Sequence, residues 1–445
     1  MSTATTTSSV VIDGYTFNIA VTVTSPSTGI QASRIADLLE PFGVNTFSSL
    51  DGNSNLWGSW PADYSPPTVI AAMNWLTNNS GLTMRGREYH YAGRETMQAK
   101  WLSQVTAGTG SKFSICVGSN GDLTAVPTLL SLAAAPENNV GWIEGSNEPN
   151  NDFGSGQVPS AVVQDIQTQL FAGRPPGVEV LGPSIVFGMP YPEGYILPAY
   201  VPSTTSLSSG MTLSNGHFYP PRNPDIDDGS GRGGSFDDVV VGLTKVYGKK
   251  PVITEWHPTL YNNDGHSSDD MLAAYLTPIN MLSANRLGVS GMWWYSLFDY
   301  GSTYKSGLFP TNATNPRPAA YAIRAMYSLT GDKGQNKRTF SPGKLAYTVS
   351  GLPSPVNAAS PHTGGQHALF QSSDGRFFLF LWNSQLTYGG PKVPVTVKFG
   401  SAVHSVSEYN LNAGATAMTA LQSLSNVSGL TSQLDASARL LVVSP

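Results

Sequence analysis

Short apolar runs alternate with longer amphipathic segments from about residue 43 onward, which is the rhythm of a parallel sheet built from strand–helix units. The apolar runs predict strands at residues 43–50, 82–89, 113–117, 140–146, 178–183, 213–219, 251–255 and 287–295. The helical spacing of apolar residues predicts helices at residues 69–77, 95–105, 126–134, 236–247 and 318–328. Strands and helices in this order fit a (β/α)8 barrel, which typically takes about 250 residues plus insertions.

The pattern changes after residue 335, where strand-like segments replace the strand–helix rhythm. Asp374-Gly375 lies between two apolar runs as a hairpin signal, and residues 393–399 and 439–443 read as further strands. This region is therefore predicted to be an antiparallel β-sandwich, so the chain is an α/β protein with a C-terminal sandwich domain. We expect a strand-like segment near the N-terminus to pack on that sandwich. The predicted division is into residues 1–35, 36–335 and 336–445.

The composition narrows the choice of partners. Only 12% of the 445 residues are charged and the net charge is −5, whereas nucleic acids and anionic membranes call for a basic patch. No apolar run approaches the roughly 20 residues that span a bilayer, so membrane insertion is not expected either. Cys116 is the single cysteine, which excludes an internal disulfide and a metal site built on cysteines. We expect a buried core thiol at this position.

The abundance of glycine (46) and proline (32) is typical of a loop-rich secreted protein. The first nine residues have neither the basic region nor the apolar segment of a secretion signal. We nevertheless expect an extracellular or periplasmic monomer whose signal is not part of this sequence. Asn78, Asn312 and Asn426 occupy Asn-x-Ser/Thr sites, which matter if a eukaryotic secretory route makes the protein.

Two glutamates stand at the ends of predicted strands. Glu148 follows the strand at 140–146 within an Asn-Glu-Pro motif, and Glu255 closes the strand at 251–255. Because the carboxyl ends of parallel barrel strands meet at one mouth, both side chains are expected to face one cleft. Two carboxyl groups about 5–5.5 Å apart cleave a glycosidic bond with retention, one as acid/base and the other as nucleophile. A capping role for Glu148 and a surface ion pair for Glu255 form the weaker interpretation, because both follow apolar strands.

Polar residues near these glutamates are candidates for binding substrate. Asn147 is expected to bind a sugar hydroxyl and orient the carboxyl beside it, although an amide here can also cap a turn. His217 and Tyr219 alternate along a predicted strand and face the barrel interior, where Tyr219 is expected to donate to the nucleophile. His217 could equally be a satisfied core histidine. Arg85 and Arg87 share one strand face; one of them is expected to bond the glutamates or the substrate, and we assign this role to Arg85.

Aromatic residues near the predicted mouth are candidates for a platform under a sugar ring, because aromatic planes pack well on the apolar faces of sugars. They are Trp256, Trp293, Trp294 and Tyr295. Alternation places Trp293 and Tyr295 on one face of the last predicted barrel strand and Trp294 on the other. At least one of these three is therefore expected in the core, and Trp256 is as good a candidate for the core as for the cleft.

These motifs resemble those of the clan A retaining glycoside hydrolases. The clan pattern has Asn-Glu-Pro ending strand four, His-x-Tyr after strand six, a glutamate ending strand seven and an aromatic residue ending strand eight. The corresponding residues in this chain are Asn147-Glu148-Pro149, His217-Phe218-Tyr219, Glu255 and Trp293-Trp294-Tyr295. The start Phe42-Gly-Val-Asn-Thr-Phe and the hairpin at 373–382 are similar to the β-xylosidase/α-L-iduronidase family, family 39.

The resemblance implies a (β/α)8 barrel that acts on a carbohydrate, and it implies neither a cofactor nor a metal. It implies that Glu148 is the acid/base, that Glu255 is the nucleophile, and that Asn147 lies at the 2-hydroxyl of the sugar being cleaved. It also implies that Tyr219 contacts the nucleophile and that His217 lines the site.

Taken together, the sequence indicates a retaining O-glycoside hydrolase that cleaves a polysaccharide or oligosaccharide through a covalent glycosyl–glutamate intermediate. Motifs of serine hydrolases, P-loop NTPases, zinc proteases and dinucleotide enzymes are missing. Two alternatives stay open. One is a catalytically silent barrel that binds glycan, and the other is a transglycosidase with the same catalytic pair.

Overall fold

The computed structural model describes residues 5–12, 15–22, 29–46, 64–90, 92–118, 121–150, 158–187, 204–218, 236–257, 267–299, 306–310, 315–352, 365–383, 392–435 and 437–445. Its strands are β1 (Thr5–Ile12), β2 (Tyr15–Thr22), β3 (Ile30–Gln31), β4 (Ser33–Arg34), β5 (Phe42–Asn45), β6 (Arg85–Tyr89), β7 (Phe113–Val117), β8 (Val140–Ser146), β9 (Glu179–Leu181), β10 (Ile185–Phe187), β11 (Ser214–Phe218), β12 (Pro251–Trp256), β13 (Gly291–Trp294), β14 (Lys344–Leu345), β15 (Tyr347–Ser350), β16 (Gly365–Gln371), β17 (Phe377–Asn383), β18 (Val393–Asn410), β19 (Ala420–Leu434) and β20 (Arg439–Ser444). Its α-helices are α1 (Ile35–Leu39), α2 (Pro66–Thr77), α3 (Glu95–Thr109), α4 (Ala125–Ala134), α5 (Ser160–Gly173), α6 (Thr204–Ser209), α7 (Phe236–Tyr247), α8 (Ser267–Arg286) and α9 (Pro318–Thr330).

Strands β5 to β13 form a nearly closed parallel sheet, in which β13 pairs with β5. β9 and β10 are the two halves of the fifth barrel strand: β9 pairs with β8, and β10 pairs with β11. Single bridges, Asn147 to Ser184 and Leu181 to Leu213, span the interruption between the two halves. The predicted (β/α)8 barrel is therefore confirmed.

Several predicted elements coincide with observed ones. The predictions at 113–117, 140–146 and 236–247 match β7, β8 and α7 residue for residue. β7 and β8 are buried along their whole length, and a strand covered on both faces reads as a continuous apolar run. Helices α5 and α8 have no predicted counterpart, and α8 both contains Pro278 and lacks a distinct apolar stripe. Within the described residues, no helix combines the length and the apolar character needed to cross a bilayer.

Large side chains fill the amino-terminal end of the barrel interior. Trp142 and Trp293 meet edge to face with ring centroids 5.9 Å apart, and the guanidinium carbon of Arg85 lies 4.2 Å from the centre of the Trp142 ring. Trp293 fits because Gly43 and Gly291 have no side chains: a Cβ on either would lie 2.5 Å from the indole. We call this filled amino-terminal end the barrel floor. A catalytic site is therefore expected at the opposite end, where the carboxyl ends of the strands meet.

The second sheet is mixed and contains strands from both ends of the chain. β18 pairs with β15, β19 and β20, and β17 pairs with β16 and β20, all antiparallel. β2 joins this sheet at β15, and β4 joins it at β16. The β4–β16 pair is parallel, but β4 lies outside residues 336–445. The strand pairs described within 336–445 are antiparallel, as predicted. The arrangement as a two-layer sandwich and the domain boundaries stay predictions.

β17 is buried on both faces, which links the two parts of the molecule. Alternate side chains pack in the core that the barrel helices share: Phe378, Phe380 and Trp382. Leu379 and Leu381 point the other way, into a separate core formed by the mixed sheet itself. After α9, the carboxylate of Asp332 accepts hydrogen bonds from the backbone N–H of Ser373 at 2.7 Å and from its hydroxyl at 2.5 Å. These contacts hold the sheet against the barrel.

Candidate active site

A β-bulge turns two consecutive residues of β12 into the barrel. The register with β11 skips Thr254, so Gly216 pairs with Ile253 and His217 pairs with Glu255. Regular alternation would send neighbouring side chains to opposite faces of the strand. Because of the bulge, Thr254 and Glu255 both form hydrogen bonds inside the barrel.

Glu148 is held by a second irregularity at the end of β8. Its backbone is in the left-handed region with φ +44°, which is uncommon for a residue other than glycine. The Glu148 N–H donates to the carbonyl of Ser184 at 3.0 Å, and Asn147 forms a bridge to the same residue. The interrupted fifth strand therefore fixes the backbone that carries the carboxyl group.

Arg87 occupies the centre of the site, and its guanidinium makes five hydrogen bonds, as many as it has N–H groups. Nε and Nη2 donate to the two oxygens of Glu144 at 2.8 and 2.7 Å, and Nη2 also donates to Asn147 Oδ1 at 2.9 Å. Nη1 donates to Glu255 Oε1 at 2.7 Å and to Asn45 Oδ1 at 2.8 Å. Burial opposes the charge of Arg87, but the carboxylates of Glu144 and Glu255 raise its pKa well above the usual value. Arg87 is a permanent cation in this site.

Tyr89 is the second donor to Glu255. Its hydroxyl lies 2.6 Å from Glu255 Oε1, the same oxygen that accepts from Arg87, and 3.2 Å from Asn147 Oδ1. Burial, followed by the charge of Glu255, raises the pKa of Tyr89 well above its usual value. The hydroxyl therefore stays protonated and donates a hydrogen bond to Glu255. Two donors on one carboxylate oxygen stabilise the ionised form of Glu255.

His217 lies between the two glutamates. Its Nδ1 is 2.8 Å from Glu148 Oε1 and 3.4 Å from Glu255 Oε2, and its Nε2 is 3.1 Å from Thr254 Oγ1. One carboxylate oxygen of Glu148 and one of Glu255 lie within 4.8 Å of each other. The spacing of these three groups would admit a cation, but the 2.8 Å contact has the length of a hydrogen bond. We interpret the group as a hydrogen-bonded pair of Glu148 and His217, with the Glu255 carboxyl beside it.

A third carboxylate, Glu144, lies below the mouth and is fully buried. It accepts the two bonds from Arg87, and its Oε1 lies 3.1 Å from the Thr254 hydroxyl and 4.0 Å from His217 Nε2. The thiol of Cys116 belongs to the same layer. Burial, followed by the charge of Glu144, raises the pKa of this thiol well above its usual value, so it stays neutral. The expected buried core thiol is confirmed.

Residues that sequence patterns single out as site candidates come together here: Asn147, Glu148, His217 and Glu255. Asn147 Oδ1 accepts from Arg87 and lies 3.2 Å from the Tyr89 hydroxyl, and the predicted contact of Asn147 with a sugar hydroxyl stays a prediction. Tyr219 lies outside the described residues, so its contact with the nucleophile also stays a prediction.

Arg85 does not take part in the site, and the assignment of this role to Arg85 is wrong. Its Nη1 donates to the carbonyl of Ser290 at 2.7 Å, in the barrel floor. Burial lowers the pKa of Arg85 to about 10, an effect that the charge of Glu179 partly offsets. Arg85 and Arg87 share a strand face as expected, but two residues along a strand span about 6.6 Å and so separate two layers of the interior.

The predicted sugar platform is wrong for the three tryptophans. Trp256 and Trp294 pack edge to face with centroids 4.9 Å apart, and Trp293 belongs to the barrel floor. All three are at most 2% exposed, so none can stack on a ligand. Tyr295 is half-buried and its ring lies near-parallel to that of His257, with centroids 6.3 Å apart. Among the four candidates, only Tyr295 remains available for a platform.

Sequence reasoning named Arg87 as one of two candidate arginines and chose the other; it missed Tyr89, Glu144 and Thr254. A signal existed for Tyr89, because Arg85, Arg87 and Tyr89 stand two residues apart along one strand and so share a face. No comparable signal existed for Thr254, because a bulge is not visible in an apolar run.

No family model matches the sequence, and no curated protein matches it. Solved structures match the fold over almost the whole chain. A family 39 β-xylosidase from Caulobacter crescentus has a TM-score of 0.57 at 12% identity, with 94% of this chain and 98% of that one covered. A family 30 endoxylanase from Clostridium papyrosolvens C71 has 0.55 at 14% identity (94% and 97%). A family 51 α-L-arabinofuranosidase from Bifidobacterium longum has 0.52 at 10% identity (94% and 97%). The shared feature is the fold of these glycoside hydrolases.

Proposed function

We propose that the protein is a retaining O-glycoside hydrolase. The observation that carries the proposal is the pair of buried carboxyl groups, Glu148 and Glu255, with oxygens within 4.8 Å of each other at the barrel mouth. Retaining enzymes have their carboxyl groups about 5–5.5 Å apart, whereas inverting enzymes need about 6.5–9.5 Å to admit a water molecule. An approach this close supports retention.

The hydrogen bonds support a division of roles. Glu255 accepts from the cation Arg87 and from Tyr89, both of which favour its ionised, nucleophilic form. Glu148 faces His217, through which a proton can be held at the carboxyl group. In the first step, a Glu255 oxygen bonds to the anomeric carbon while Glu148 gives its proton to the departing oxygen. In the second, Glu148 takes a proton from water, the water oxygen bonds to the anomeric carbon, and Glu255 is released.

The substrate we propose is a polysaccharide or oligosaccharide. Support comes from the fold, which is that of glycoside hydrolases named for xylan, β-xyloside and α-L-arabinofuranoside substrates. No feature of the described residues selects among these sugars, so a panel of glycosides is the appropriate probe.

Intact-protein mass spectrometry after incubation with 2-deoxy-2-fluoro glycosides bearing activated leaving groups tests the proposal. We expect a mass gain of one fluorosugar, located on the peptide that holds Glu255. The accepted sugar is identified in the same experiment. No adduct with any sugar would contradict the proposal and favour a barrel that binds glycan without cleaving it. An added acceptor sugar then distinguishes hydrolysis from transglycosylation by the products.

Azide rescue tests the roles of the two glutamates separately. Glu148→Ala should keep activity on aryl glycosides with good leaving groups, and azide should rescue it with retained configuration, because azide attacks the glycosyl-enzyme. Glu255→Ala should be inactive, and any azide rescue should give the inverted product, because azide then attacks the substrate itself. The opposite stereochemical outcomes would reverse the assignment.

A further inference from the structure

We propose that Glu144 is a positioning residue that controls both catalytic carboxyl groups, one through Arg87 and the other through Thr254 and His217. Glu144 lies below the mouth with its side chain fully buried, so it does not itself meet a ligand. It contacts two separate chains of hydrogen bonds, and each chain ends on a different glutamate. The inference deepens the proposed function and rests on it only for its kinetic consequence.

The first chain runs through Arg87. Nε and Nη2 of its guanidinium donate to the two oxygens of Glu144, which fixes the plane of the guanidinium. In that orientation the remaining N–H groups point to Glu255 and Asn147. Glu144 also supplies a negative charge that balances the cation. Arg87 can therefore orient Glu255 without withdrawing as much electron density from it as an unbalanced cation would.

The second chain sets the tautomer of His217. The Thr254 hydroxyl lies 2.9 Å from Asn215 Oδ1, 3.1 Å from Glu144 Oε1 and 3.1 Å from His217 Nε2. Asn215 Nδ2 donates to the carbonyl of Gly182, which leaves Asn215 Oδ1 as an acceptor. With two acceptors beside it, the single hydroxyl hydrogen points to one of them, and the hydroxyl oxygen is left to accept from His217 Nε2–H.

The tautomer decides where the proton of the acid/base lies. With the hydrogen on Nε2, the neutral ring has a lone pair on Nδ1, which faces Glu148 Oε1 at 2.8 Å. A hydrogen bond of that length needs a proton between the two atoms. The pair of Glu148 and His217 therefore holds one shared proton, ready for the leaving group. An ionised Glu144 at 4.0 Å from Nε2 favours this arrangement, because it attracts the positive end of the ring.

The other titratable groups facing Glu144 do not compete for this role. Arg87 is a permanent cation, and the Cys116 and Tyr89 groups stay neutral, as their raised pKa values show. Among the residues that the structure describes, Glu255 is the other carboxylate that acts on both Arg87 and Cys116. Removing the charge of Glu144 should consequently change the protonation of His217 and Glu255.

Nitrogen NMR of the histidines tests the inference without any substrate. The protein has seven histidines, so ¹⁵N-histidine labelling gives a tractable spectrum in which a His217→Gln sample identifies the His217 signals. We expect wild-type His217 to show the Nε2–H tautomer. In Glu144→Gln, the pH at which His217 gains its second proton should fall by at least about one unit, since a unit charge is lost nearby. In Thr254→Val, which keeps that charge, the tautomer ratio should instead change by about tenfold towards Nδ1–H.

Glu408→Gln is the matched control. Glu408 is also a buried glutamate near a buried arginine, with its Oε1 3.8 Å from Arg439 Nε, but it lies in β18 of the mixed sheet. Its loss should lower stability and leave the His217 signals unchanged. A wild-type His217 in the Nδ1–H form would overturn the inference. A Glu144→Gln protein whose His217 signals and titration match those of wild type would also overturn it. If Glu144→Gln does not fold, the tautomer ratio in Thr254→Val is the deciding measurement.

The kinetic consequence is separable from the proposed function. Fluoroglycosides with activated leaving groups need no proton, so the pH dependence of labelling reports Glu255 alone. Glu144→Gln should shift the acid limb of labelling to lower pH by about one unit, because losing a negative charge favours the ionised nucleophile. Thr254→Val should leave that limb in place. An absence of labelling in wild type would refute the proposed function, whereas the NMR result would still decide the role of Glu144.

Discussion

Replacing Arg87 by methionine tests whether one cation holds the site together. Methionine keeps an unbranched stem of similar length but removes all N–H donors, so Glu144 and Glu255 are left buried without their counter-ion. Removing one partner of a buried ion pair typically costs 3–5 kcal/mol. We expect the free energy of unfolding to fall by about 3–5 kcal/mol at neutral pH, measured by urea unfolding followed through tryptophan fluorescence. Acidification protonates the uncompensated carboxylates, so the difference from wild type should narrow as the pH falls.

Arg85→Met is the matched control for this measurement. Arg85 lies two residues earlier on the same strand face and is largely buried, but it contacts the Ser290 carbonyl and the Trp142 ring, and no carboxylate hydrogen bond is seen for it among the described residues. Burial lowers its pKa to about 10, which means that the fold disfavours its charge. Its loss should therefore cost much less than the loss of Arg87. Equal losses in the two variants, or a loss below about 1 kcal/mol in Arg87→Met, would refute the reasoning.

Four further changes have defined outcomes. Tyr89→Phe removes one of the donors to Glu255 and should raise the pH of the acid limb of kcat/KM by about one unit. The reason is that a hydrogen bond to a charged group contributes about 1.5–3 kcal/mol. A pH–rate profile with an unmoved limb would contradict this. Gly43→Ala places a Cβ 2.5 Å from the Trp293 indole and should lower the free energy of unfolding by about 1–3 kcal/mol. Gly242→Ala, in α7 with open space around it, should instead raise that free energy by about 0.5–1 kcal/mol, and urea midpoints that fail to move in opposite directions would disprove the packing argument. EDTA should change neither activity nor the urea midpoint, since the carboxyls of Glu148 and Glu255 have hydrogen-bond partners in the protein; metal-restored activity after chelation would contradict that interpretation.

The barrel was predictable because its strands are covered on both faces. β7 and β8 consist of buried residues throughout, and such runs stand out from the amphipathic helices between them. The glutamates were recognisable for the same reason, because a carboxylate that ends a buried run is costly unless it is used or paired. The fifth strand was predicted as one piece, and its interruption at residues 182–184 could not be read from the sequence.

Sequence periodicity does not show how close a side chain lies to the floor or to the mouth of the barrel. Alternation along β6 correctly put Arg85 and Arg87 on one face, yet it does not say which layer meets the carboxylates. The same limit applies to Trp293, which faces the interior but fills the floor. Register against neighbouring strands decides such questions, and the bulge at Thr254 shows that one skipped residue changes which side chains enter the site.

The mixed sheet draws strands from both ends of the chain, which has a consequence for the order of folding during synthesis. β2 and β4 leave the ribosome before the barrel, whereas their partners β15 and β16 follow only after the whole barrel has been made. Until then these early strands present unpaired backbone edges, a known route to aggregation. Pairings between distant parts of a chain also form slowly, because a large loop must close first. Chains whose synthesis stops within the barrel segment should therefore be the ones that aggregate. Completing the mixed sheet pairs the exposed strand edges and removes this risk.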